Sequence, residues 1–135
     1  MNGKKALAER RHTLWTLALV IASLVVPSIC SAEEISIRIS PATLNLESDG
    51  SVVTVHTDVP YSAVDVYTVY LSGVAIQSWK ADDRGYFVAK FLMDSVKTID
   101  GLVINDYNTF RFVALTTDEN PVWGEADVKV IDRGH

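Results

Sequence analysis

A chain of 135 residues with 12 basic and 17 acidic side chains has the size of one domain. Residues 1–32 hold four of the basic residues and one acidic one, so residues 33–135 carry 8 positive against 16 negative charges. That balance disfavours nucleic acid and anionic lipid surfaces, which attract basic patches.

The first element in chain order is an export signal. Lys4, Lys5, Arg10 and Arg11 precede an uncharged run from Thr13 to Val26, which Pro27 ends for lack of an N–H. The small side chains of Cys30 and Ala32 then suit a cut before Glu33. A basic start, a short apolar stretch and a small-residue exit make a secretory signal peptide over 1–32. The stretch is too short to serve as a bilayer anchor, which takes about 20 residues. The protein is therefore expected to be secreted or periplasmic, with no stable membrane anchor after cleavage. Arg10-Arg11 lacks the apolar pair of a twin-arginine signal, since His12-Thr13 follow. Ile29 stands where lipidation of Cys30 would need a small residue. With that only cysteine cleaved off, the domain over 33–135 must hold by packing alone, for which about 100 residues suffice.

From Glu33 onward a period of two dominates. Ile35, Ile37 and Ile39 alternate with Ser36, Arg38 and Ser40, and after Pro41 Leu44 and Leu46 resume the pattern. Ser48-Asp49-Gly50 is a turn, with Gly50 free to take positive φ. A Val/Thr-rich strand spans 51–58, and another carries Val64, Val66, Val69 and Leu71 with an irregularity near Tyr67. Ser72-Gly73 turns the chain into a short strand over 74–80, and Asp82-Asp83-Arg84-Gly85 turns it into 86–92. Asp94 is placed to cap a short helical turn reaching Thr98.

The closing segments form a hairpin. Phe110, Phe112 and Ala114 face inward on one strand, and Gly124, Ala126, Val128 and Val130 on the other. A three-residue loop Asp118-Glu119-Asn120, with Asn120 left-handed, would set Arg111 opposite Asp127, Ala114 opposite Gly124 and Leu115 beside Trp123. Seven to eight short antiparallel strands with almost no helix predict an all-β sandwich.

Ser40-Pro41-Ala42-Thr43-Leu44-Asn45-Leu46, the turn at Gly50 and Val53-Thr54-Val55 resemble the start of immunoglobulin-like domains in bacterial and archaeal surface proteins. There a proline kinks the first strand so that it changes sheets. Val69-Tyr70-Leu71-Ser72-Gly73, Ala89-Lys90-Phe91 and Trp123–Ile131 extend the resemblance, to an accessory domain of secreted multidomain proteins. It covers about residues 35–132, nearly all of the mature chain, and implies an immunoglobulin-like β-sandwich. Relatives of this kind often carry an Asp-rich calcium loop where this chain reads Lys80-Ala81-Asp82-Asp83-Arg84-Gly85. Asp82 and Asp83 are the weak calcium candidates, but Arg84 sits beside them and the six to eight oxygens calcium takes are lacking.

Catalytic patterns are missing from the sequence. His56 and the terminal His135 are the only histidines after residue 32, and no Gly-x-Ser-x-Gly elbow or glycine-rich phosphate loop occurs. No carboxylate pair stands out for a hydrolase, so no enzyme and no cofactor are expected. Val113, Leu115 and Trp123 alternate outward and form the candidate binding patch, which suits a protein partner. The competing readings are sugar stacking on exposed aromatics among Tyr61, Tyr67, Tyr70, Tyr86 and Tyr107, and a spacer domain without ligand. Trp79 is open between core and surface.

Overall fold

The computed structural model describes residues 31–133. The expected export signal, apart from its last two residues, lies outside the described residues, as does His135. Ten strands are found among the described residues: β1 (Glu33–Glu34), β2 (Ile37–Ser40), β3 (Thr43–Asn45), β4 (Val52–Pro60) and β5 (Val64–Leu71), then β6 (Val74–Ala75), β7 (Ser78–Ala81), β8 (Tyr86–Leu92), β9 (Asp106–Thr116) and β10 (Pro121–Ile131). A 3-10 turn at Tyr61–Ala63 and a single helical turn, α1 (Met93–Val96), complete the secondary structure.

The strands form two sheets. The larger runs β1-β10-β9-β5-β6, with β3 also on β10, and the smaller runs β2-β4-β8-β7. The count exceeds the expected seven to eight, and two pairings, β1–β10 and β3–β10, are parallel. Both departures arise where the chain changes sheets. β1 lies on β10, β2 crosses to β4 in the smaller sheet, and β3 returns to β10 after Pro41. Proline cannot donate to the ladder, so the strand breaks there. Gly124 makes the first crossing possible. A Cβ on it would sit 2.8 Å from the Ile35 carbonyl oxygen and 2.9 Å from Ile37 Cγ2. The expected strand over 74–80 likewise divides, β6 pairing with β5 and β7 with β8 in the other sheet.

Alternation puts one face of each sheet into a shared core. Phe87 and Phe91 from β8, and Phe110 and Phe112 from β9, are its largest fully buried side chains. Burying one such ring is worth about 1.5–3 kcal/mol, which is how a chain without disulfides in this region holds its layers together.

The hairpin forms, but in a different register. Thr116 N–H donates to the Asn120 carbonyl at 2.9 Å and Glu119 N–H to the Thr116 carbonyl at 2.8 Å. The three-residue loop is therefore Thr117-Asp118-Glu119, and Glu119 (φ 63°), not Asn120, takes the left-handed position. Asn120 N–H bonds the Thr116 hydroxyl at 3.1 Å, which holds the loop one residue earlier. Arg111 consequently faces Glu125 rather than Asp127, Gly124 faces Phe112 rather than Ala114, and Leu115 faces Pro121 rather than Trp123. The slip changes the pairing by two residues, an even number, so every side chain keeps its face.

Two local expectations also fail. Gly50 is not among the positive-φ glycines; it is pressed against Met93, whose sulfur would lie 2.5 Å from a Cβ there. Asp94 sits inside the first turn of α1, while Leu92 is the uncapped N-terminal residue.

Candidate functional site

The outer face of the larger sheet is built from β5, β9 and β10. Register puts Tyr70, Val113 and Trp123 in one row across these strands. Val113 is 37% exposed and Tyr70 is exposed, whereas Trp123 is half-buried. Its cover is Arg111, whose Cζ lies 4.4 Å from the centre of the indole. Glu125, paired with Arg111, fixes the guanidinium at 3.0 Å. Such stacking is worth about 0.5–1 kcal/mol at an exposed site.

A bulge in β5 extends this face. Between Asp65↔Leu115 and Tyr70↔Val113 the pairing shifts, and Thr68 supplies what the ladder loses. Leu115 N–H donates to Thr68 Oγ1 at 2.8 Å, and the Thr68 hydroxyl donates to the Asp65 carbonyl at 2.7 Å. Tyr67 N–H bonds Asp65 Oδ1 at 3.2 Å, and the ring stands 85% exposed in the bulge. The residues singled out in sequence therefore lie on one face, Val113 directly opposite Trp123 and Leu115 half-buried next to the bulge. Sequence reasoning singles out Tyr67 and Tyr70 for sugar stacking rather than for this patch, and Arg111 as the partner of Asp127. Their signal lay in β5, whose bulge obscures the alternation, and in a register two residues from the expected one.

The outer face of the smaller sheet is polar. One row reads Arg38, His56, Val88, Lys80 across β2, β4, β8 and β7. Beyond this row the pairing of β4 and β8 is interrupted between His56 and Pro60. There the Thr57 hydroxyl donates to the Phe87 carbonyl at 2.7 Å and accepts Val59 N–H at 3.3 Å. A groove of about 570 Å³ lies at this point, lined by Ile37, Arg38, His56, Asp58, Arg84 and Tyr86 among others. Burial holds the His56 pKa below its ordinary value, Arg38 and Lys80 push the same way, and Asp82 opposes them.

Asp82 Oδ1 accepts the N–H groups of Arg84 at 2.8 Å and Tyr86 at 2.9 Å. The Tyr86 bond foremost lowers its pKa; desolvation, next in size, opposes it, and the Arg84 N–H and the Arg84 and His56 charges add to the lowering. Asp82 thus shapes the β7–β8 turn, in which Gly85 takes φ 84°. Asp83 is exposed in the same turn. Among the described residues no three His, Cys, Asp or Glu side chains gather as a metal site. Trp79 pairs with the buried Ala89 on edge strand β7 and is 38% exposed, at the rim of the core rather than its centre.

Compared with protein-family models, curated proteins and solved structures, the chain matches none.

Proposed function

We propose that the chain is an exported, non-catalytic, immunoglobulin-like module that holds a protein partner against the outer face of its larger sheet. The strand order supports the fold type. β2-β4-β8-β7 in one layer and β3-β10-β9-β5 in the other follow the A-B-E-D and A′-G-F-C arrangement of immunoglobulin-like sandwiches. Asn108 adds a corner lock at the start of β9, its Oδ1 accepting Val103 N–H at 2.7 Å and its Nδ2 donating to the Val103 carbonyl at 2.9 Å.

The observation that carries the binding reading is the Tyr70–Val113–Trp123 row with Arg111 stacked on it. Aromatic residues and arginine are the types enriched at protein interfaces and their hot spots. A guanidinium over Trp123 also occupies the ring face that a sugar would need, which favours a protein partner for this surface. Substituting Trp123→Ala or Leu115→Asp is expected to leave cooperative folding intact and to weaken capture of the partner from an envelope extract. Loss of cooperative unfolding in either variant would place the patch in the core and end the reading.

A further inference from the structure

We propose that the groove on the smaller sheet is a second, separate binding site for a neutral, hydroxyl-rich ligand, a saccharide of one or two rings. Its volume of about 570 Å³ falls in the range of small-ligand pockets. The lining decides the ligand's charge. Asp58, Asp82 and Asp83 would repel an oxyanion, and Arg38 and Arg84 would repel a cation. A hydroxyl both donates and accepts, carboxylates only accept and guanidiniums only donate. Adjacent hydroxyls are the chemistry that uses both sets at once.

Two of the carboxylates are held in place, and the guanidiniums are left free for a ligand. The Arg111–Glu125 ion pair lies on the opposite face. Asp58 and Asp82 are instead fixed by backbone: Asp58 Oδ1 takes Ser36 N–H at 3.2 Å, and Asp82 Oδ1 takes the two N–H groups of its turn. Each keeps a second carboxylate oxygen. No hydrogen bond or ion pair among the described residues engages the Arg38 or Arg84 guanidinium. The turn itself is anchored, since Tyr61 N–H donates to the Gly85 carbonyl at 2.9 Å. Half-buried Tyr86 offers apolar surface to the C–H face of a ring. Carboxylates fixed before binding lower the cost of ordering a weakly held ligand.

The test is a neutral glycan array followed by NMR titration of the processed protein with a retained disaccharide, using sodium sulfate and spermidine as charged probes. The expected result is saturable binding near millimolar affinity, about −4 kcal/mol, with shifts at His56, Arg84 and Tyr86. Arg38→Ala should weaken it about tenfold, the size of one lost hydrogen bond to a charged group. Asp58→Asn, which keeps an acceptor for Ser36 N–H, should weaken it comparably, and Val113→Asp on the other face should leave it unchanged. Retention of no neutral glycan would overturn the proposal. So would binding that shifts Tyr67 and Tyr70 instead, or a stronger response of the groove to sulfate or spermidine.

Discussion

The two outer faces of this molecule use charge in opposite ways. On the larger sheet Arg111 and Glu125 pair with each other and Arg111 covers Trp123, so the row around Val113 is aromatic with its neighbouring charges paired. On the smaller sheet carboxylates are tied to backbone N–H groups, and the guanidiniums of Arg38 and Arg84 keep their full donor capacity. A net acidic composition therefore conceals one face suited to a desolvating contact and another suited to hydrogen bonding.

A pair of valines measures the contrast most strongly. Val88 and Val113 both point outward from the middle of their sheets, yet Val88 is 0% exposed and Val113 37%. Val88 lies outside the core cluster, between His56 and Lys80 in its row. Val88→Ala should cost about 1–3 kcal/mol in urea unfolding, because it leaves a cavity at a fully buried site. Val113→Asp should stay within about 1 kcal/mol. Equal losses would erase the distinction between the faces.

The link between the sheets is next in size. Gly124→Val drives a side chain into the β1–β2 crossing at Ile35 and Ile37 and should cost about 1–3 kcal/mol, read as a lower unfolding midpoint. Thr57→Val removes the hydroxyl that ties the opened β4 to the Phe87 carbonyl, for an expected loss of about 1–2 kcal/mol in the same assay. Arg111→Ala should cost under about 1 kcal/mol, its pair and its stacking being exposed. Its clearest readout is a red shift of tryptophan emission as Trp123 is uncovered. The smallest effect is that of His56. Its folded pKa lies below the unfolded value of 6.5, so the native state binds fewer protons than the unfolded chain. Stability should fall as pH drops from about 7 toward about 5, and His56→Gln should flatten that slope.

Much of the architecture could be read from residue order because alternation is a parity rule. Phe110, Phe112 and Ala114, with Val128 and Val130, were placed inward and are buried. Parity also survived the wrong hairpin register, since a two-residue slip returns each side chain to its own face. What parity cannot encode is where a strand ends or changes sheets. The break at Pro41 was legible, but the crossing between β1 and β2, the separation of β6 from β7 and the close approach at Gly50 depend on tertiary contacts with β10, β8 and Met93. The outward patch was half legible: Val113, Leu115 and Trp123 follow from alternation, but Tyr70 and Tyr67 come through the β5 bulge. The groove was not legible, because it arises from an interruption in the β4–β8 ladder rather than from any motif.

The most direct test is site-specific photo-crosslinking in the producing cell. A benzophenone amino acid replaces Val113 on the larger sheet or, in a second protein, Thr54 on the smaller one. Discrete protein adducts from position 113 and none from position 54 are the predicted result. Adducts from position 54 alone, or none from either position, would contradict the assignment of the partner to the Tyr70–Val113–Trp123 face.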